Sequence, residues 1–227
     1  MIRFSWLTCV LLPRVGALAC WLALAAAPAT ALAQAPQTRQ QALQALSHAD
    51  PAQRLAAMLR LADIGTAEDA QAVLPRLADR DATVRRVALP AIWRLWGRSG
   101  DAAIDALYEQ GLDLMQAGEL AKAVLLFSDI IVKRPAFAEA WNKRATIYYL
   151  MNEYELSMKD CDEVLKRIPK HFGALSGYSQ MLAERDQPER ALEYLERAYS
   201  VNPNMGNAEL MIQDLRRQVN AKQKKST

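Results

Sequence analysis

The chain has 227 residues, with 28 Lys and Arg against 25 Asp and Glu, for a formal net charge of +3. Slightly over half of it is apolar, only 7% is aromatic, and it holds nine glycines. So small a basic surplus excludes a nucleic-acid partner held by bulk charge, and the Ala- and Leu-rich, glycine-poor profile excludes a sheet protein in favour of an all-helical one.

The first segment reads as a leader. Residues 1–33 carry Arg3 and Arg14 and no acid, then an apolar run from Val15 to Ala27, then "ALA" before Gln34. This is the pattern of a secretory peptide cleaved after Ala33. The alternatives are a membrane anchor, which the short run broken by Pro13 and Pro28 argues against, and an organellar transit peptide, since the first acid is Asp50. "ALAC" ending at Cys20 weakly resembles a lipid-attachment site, but the apolar run continues past it. Cleavage would remove Arg3 and Arg14, which account for two of the three net positive charges, together with Cys9 and Cys20. Cys161 would then be the sole thiol, and no disulfide framework could form within one chain.

Residues 34–99 form the next segment. "LQALSHADPAQRLAAMLRL" and "LPRLADRDATVRRVALPAI" superpose at an offset of 31, pairing Leu43 with Leu74, Leu46 with Leu77, Asp50 with Asp81, Arg54 with Arg85, Ala57 with Ala88 and Leu61 with Ile92. Each half predicts a helical hairpin whose Asp caps the second helix. The plainer alternative is a pair of amphipathic hairpins leading into the longer array beyond residue 100. At the junction "AIWRLWGRSGD", Trp93 and Trp96 share one helix face and are expected to bury against 104–117.

A longer period starts at 104. Pro135, Pro169 and Pro203 are 34 apart. In the same register Gly111, Ala145 and Ser179 are small, and Leu114, Tyr148 and Leu182 are large. Ala123, Ser157 and Ala191 form a second small column, and Phe127, Cys161 and Leu195 a second large one. Gly118, Asn152 and Asp186 fall midway, where a left-handed turn suits them. Each unit predicts two helices: 104–117, 138–151 and 172–185 first, then 120–133, 154–167 and 188–201, with the proline stopping the second. Such units cannot bury their own apolar faces and must stack. Leu210, Ile212, Leu215 and Val219 predict a sealing helix within 206–221, followed by a frayed tail at 222–227.

These columns resemble the tetratricopeptide repeat, over three units at 104–137, 138–171 and 172–205. Trp141, Ala145, Tyr148 and Pro169 make the middle unit the best match, and Ser157 and Cys161 are mild departures from its usual Ala and aromatic. "EAWNKRATIYYLMNEYELSMKDCDEVLKR" and "HFGALSGY" also look like a group of exported or organellar tetratricopeptide proteins. The 31-residue period looks like short HEAT-like repeats. The resemblance implies an all-α, right-handed α-solenoid acting as an interaction module, and it brings no reaction with it.

The chain's own chemistry agrees with that. Beyond the leader there are two histidines, His48 and His171, and one cysteine, so no His/Cys metal cluster and no cofactor are expected. No phosphate-binding glycine loop or nucleophile elbow is present, and no catalytic residue is assigned. His171, after a helix-ending proline, reads as a surface-loop residue. Cys161 lies in the buried large column and reads as inert. The "KDCDEVLKR" stretch, with Asp160 and Asp162, reads as a solvated face.

In such arrays the first helices line a concave groove. The candidate partner-binding residues are Asp105, Tyr108, Leu112 and Met115 in the first unit, Glu139, Asn142, Lys143, Thr146 and Tyr149 in the second, and Ser176 and Gln180 in the third. Chaperone-binding members of the family grip a terminal carboxylate with several Lys, Arg and Asn side chains. Here only Asn142 and Lys143 would serve, which argues against that clamp and for an extended peptide held by stacking and backbone hydrogen bonds. The expectation is an exported adaptor or assembly factor, placed in a bacterial periplasm, that binds an unidentified protein or peptide client. It would be non-enzymatic, without a nucleic-acid partner and without an integral membrane segment after cleavage. The alternative is a self-associating structural protein of the envelope, so a homo-oligomer stays open.

Overall fold

Asp50, Asp81 and Asp101 each begin a helix, accepting hydrogen bonds from backbone amides two to three residues further on. The computed structural model describes residues 35–226, and the expected leader with its cleavage site lies outside them. Helices α1 (Arg39–Ala45), α2 (Pro51–Ile64), α3 (Ala70–Val73) and α4 (Ala82–Trp96) come first, with short 3-10 turns at Ala67–Asp69 and Leu74–Ala78. Pro75 lacks an amide proton and ends α3 after one turn, which is why the second hairpin's first helix is fragmented. The 31-residue offset survives at atomic detail. Arg54 Nη1 donates to the carbonyls of His48 and Ala49, and Arg85 Nη1 to those of Asp79 and Arg80, 31 positions on.

Three helical pairs come next: α5 (Ala102–Gln116) with α6 (Leu120–Lys133), α7 (Ala138–Leu150) with α8 (Tyr154–Arg167), and α9 (Phe172–Glu184) with α10 (Pro188–Val201). Each turn inside a pair is built alike. Gly118, Asn152 and Asp186 have φ of 74°, 61° and 55°. The next amide closes back on the first helix at 2.8–2.9 Å, from Glu119, Glu153 and Gln187 to Leu114, Tyr148 and Leu182. Each second helix ends two residues before its proline. Arg134, Ile168 and Asn202 leave the helical region there, with φ of −138°, −130° and −126° and ψ of 71°, 83° and 89°, because the α conformation is disfavoured for the residue before proline.

The small columns mark where paired helices touch. A Cβ on Gly111 would stand 2.5 Å from the Phe127 ring. Ser157 Oγ donates to the Ala145 carbonyl at 2.7 Å, and Ser179 Oγ to the Ala191 carbonyl at 2.7 Å. The hydroxyl changes helix between units two and three, yet bridges the same crossing. α11 (Ala208–Ser226) closes the array with Ala208, Ile212 and Leu215 inward, and it runs beyond the expected 206–221. Leu210, expected inward, is 65% exposed because it lies two residues off that stripe. Among the described residues no helix is long and apolar enough to cross a membrane.

The first four helices do not extend the array from its first unit. Their core takes in Phe172, Leu175 and Ala198 from the third pair, with Leu165 and Ile168 alongside. Trp93 and Trp96 are therefore packed, but against Phe172 and His171 rather than against 104–117 as expected.

Two helical glycines separate packing from propensity. Gly111→Ala is expected to destabilise the fold by about 1–3 kcal/mol, because the buried Phe127 ring must move. Nothing lies within 4 Å of a Cβ at Gly177, so Gly177→Ala is expected to stabilise by about 0.5–1 kcal/mol. Thermal melting of the two variants should show shifts of opposite sign.

Candidate functional site

The expected groove residues fall into two sets. Tyr108, Glu139 and Asn142 are buried, which corrects their assignment to an open surface. The end of α4 covers them. Trp93 lies over the Lys143 ammonium at 5.2 Å, and its ring comes within 2.8 Å of where a Gly173 side chain would begin. Gly97, just past α4, sits against the Tyr108 ring. Only a residue without a Cβ at 173 leaves room for that indole.

Beneath the tryptophans is a polar cluster. Glu139, 1% exposed, receives His171 Nε2 at 2.6 Å and Asn142 Nδ2 at 3.1 Å, with the Tyr108 hydroxyl at 3.5 Å and Lys143 Nζ at 3.6 Å. His171 is fully buried and stacks on Trp96 at 4.2 Å, which corrects its reading as a surface-loop residue. The Ala174 amide donates to His171 Nδ1 at 3.0 Å, so that nitrogen carries no proton and Nε2–H donates to the carboxylate. Burial alone would raise the Glu139 pKa, but the donors from His171, Lys143 and Asn142 outweigh it and hold the group down at about 2. Burial and the Glu139 charge push the Tyr108 hydroxyl above its ordinary range. A Glu, a His and a Tyr in contact have the composition of a catalytic site. Here they are packed on one another and on α4, which gives them a role in joining α4, α5, α7 and α9.

Two further expectations are settled by contacts. Asp160 is not solvated; it takes a two-pronged ion pair from Arg144 at 2.8 Å, while Asp162 is exposed. Cys161 is buried, and burial pushes its thiol up to about 12, so it is inert at neutral pH. Among the described residues no group of three or more His, Cys, Asp or Glu could hold a metal.

The second set stays open. Thr146 and Gln180 are exposed, and Asp105, Leu112, Met115, Lys143, Tyr149 and Ser176 are half-buried. The Tyr149 hydroxyl bridges the next pair, donating to Glu184 at 2.7 Å and accepting from Gln180 Nε2 at 2.5 Å. Gln180 and Glu184 in turn line a cavity of about 500 Å³ between α9 and α11, which Leu210, Met211 and Asp214 complete. Sequence reasoning missed the α11 contribution by assigning Leu210 to the core. A larger cavity, about 680 Å³, lies near Arg98, Arg134 and Arg167. Those guanidiniums are spent on backbone carbonyls of 62, 63, 65, 99 and 135, so they brace the fold there.

Acid should loosen the α4 anchor. Folded Glu139 ionises at about 2 against an ordinary 4.5, so its stabilising contribution is present above pH 4.5 and lost as the pH falls towards 2. Glu139→Gln should flatten that part of the stability profile. Glu139→Ala, which strands the His171 donor in the core, should cost about 1–3 kcal/mol at neutral pH. Chemical unfolding at a series of pH values checks both.

The model of the tetratricopeptide repeat family matches residues 138–171. A TPR repeat-containing protein of Rhizobium etli is 33% identical over 108 residues, 48% of this chain and 53% of that protein. Anaphase-promoting complex subunit 7 of Dictyostelium discoideum is 29% identical over 85 residues, 37% of this chain and 15% of its own length. The chain thus spans about half of the first of these curated relatives and less of the second. Among solved structures, the Sgt2 TPR domain from Aspergillus fumigatus superposes with a TM-score of 0.50 at 19% identity, covering 55% of this chain and 83% of that one. Residues 138–171 are a tetratricopeptide repeat, and the all-helical array around them is an α-solenoid of helical repeats.

Proposed function

We propose that the chain is a non-enzymatic interaction module whose client, a protein or extended peptide, lies on the open half of the first-helix face. The observation that carries this reading is the α9–α11 cavity. It is lined by exposed Leu210 and Met211 and by hydrogen-bonding groups of Gln180 and Glu184, which Tyr149 ties to the second unit. Apolar side chains left in water beside a few fixed polar groups make a recognition surface. The half covered by α4 takes no client. Uncovering it would expose Trp96 and Phe172, at about 1.5–3 kcal/mol for each large side chain.

In its finer form the proposal is an adaptor or assembly factor of a bacterial envelope. The location rests on the leader-like residues 1–33. Sequencing the N-terminus of the native protein should return Gln34, and an intact Met1 would refute export by cleavage.

The groove has its own test. Thr146→Ala, Leu210→Ala and Met211→Ala together should leave melting nearly unchanged, since all three are exposed and such substitutions usually move stability by less than about 0.5 kcal/mol each. Crosslinked capture from the native cell should fall sharply, because a few anchor side chains carry a large share of interface energy. Undiminished capture would remove the client from this face.

A further inference from the structure

The repeats supply an internal control for the surface. Ala121, Leu125 and Val132 lie on α6 at spacings of four and seven, one stripe of that helix, and all three are exposed, Leu125 at 72% and Val132 at 80%. The same three places on α8 are Glu155, Lys159 and Lys166, and on α10 Glu189, Glu193 and Ser200, all exposed. The fold thus accepts charge at these positions and needs nothing apolar there. Of the three pairs, the first alone leaves two large aliphatic side chains in water at these places.

We propose that the α6 stripe is the contact between two copies of the chain, related by a two-fold axis with the helices antiparallel. The charges on α6 fit this occupant. Lys122 lies three residues before Leu125 and Asp129 four after it. Antiparallel pairing centred beside Leu125 sets that leucine against its own copy. It also brings Lys122 opposite Asp129 of the second copy, and Asp129 opposite its Lys122. Within one chain these groups are held only in exposed pairs, Lys122 with Glu119 and Asp129 with Lys133, which exchange partners at little cost. An end-on extension of the array fits less well. On α5, Gln110 and Asp113 are exposed where the later units bury or half-bury Arg144 and Tyr178, and Ile147 and Met181. The outward face of α5 is thus finished in polar residues, and the α6 flank is not. One pair of fourteen-residue helices, each about 21 Å long, covers less than the roughly 800 Å² per partner of a standard interface, so the dimer forms with rising concentration and is not obligate.

Sedimentation of the full chain over a concentration series tests this. The wild type is expected to pass from monomer to dimer. Leu125→Lys with Val132→Lys, the residues α8 carries at the same places, should stay monomeric with unchanged melting. Lys122→Asp and Asp129→Lys should each weaken the dimer by several-fold, and the two together should restore it, which reads the register. The triple variant on the α9–α11 face should dimerise normally, so a failure of the groove reading leaves this result intact. A wild type that remains monomeric up to about 1 mM, the weak end of specific association, overturns the proposal. So does a dimer that the double lysine variant retains. Binding of the monomer to anionic phospholipid vesicles, lost in the double lysine variant, would overturn it in favour of a lipid surface.

Discussion

A carboxylate withdrawn from water must be matched by donors, and Glu139 is the place where this chain meets that demand. Its partners come from α7 itself and from the turn before α9, with Tyr108 of α5 against it, and the indoles of α4 close the space above. The stacking order is Trp96 on His171, and His171 on Glu139, so α4 packs through its indole on a ring that the carboxylate holds in place. Apolar packing alone would let the first four helices slide over the array. Glu139 holds the His171 ring in one orientation, and that fixed ring is the surface on which Trp96 stops. Burying it carries a desolvation cost, and the short contact to His171 together with the tautomer set by the Ala174 amide offsets that cost.

The array shows how one geometry is reached with different atoms. The turn inside each pair is left-handed at Gly, Asn and Asp in succession, and the closing hydrogen bonds are the same length within 0.1 Å. At the crossing of the paired helices the small side chain is Gly111 in the first pair, and a serine on either helix in the next two. What is held constant is the close approach, and the residue type is free wherever the hydroxyl finds a carbonyl. Charge obeys a looser rule. The outward places of the second helices alternate between acid, base and aliphatic because the fold asks nothing of them, which is why an aliphatic pair there has to be explained by something outside the chain.

Helix boundaries are legible because period and punctuation agree: small and large columns at 34, a left-handed turn residue midway, and a proline at the end. The second helices occupy 120–133, 154–167 and 188–201, the spans read from the sequence. His171 misleads because Pro169, two residues away, is the louder signal. Its own column, Phe137, His171 and Met205, is apolar in the other units and places it inside. Asp160 likewise shares a column with Leu126 and Tyr194, and Arg144 on the facing helix is its available partner. The place where the first four helices dock is not legible. Nothing in their 31-residue period says which later unit they meet, and Gly173, the position that admits Trp93, looks in sequence like any helical glycine. Because that docking decides which groove positions stay open, the site is only half readable.

The Asn204 side chain hydrogen-bonds the Leu77 carbonyl across 127 positions, and the core of the first four helices needs Phe172, Leu175 and Ala198. Repeat arrays ordinarily gain stability by nearest-neighbour contacts and can fold outward from any unit. This one adds a long-range clasp between its first helices and its third pair, and closing it must wait until the chain between them has formed. A chain emerging N-terminus first would carry Met58, Leu61 and Ile92 in an unfinished core until the third pair arrived. During that interval the early segment is exposed to aggregation and proteolysis, and it depends on whatever holds nascent chains in its compartment.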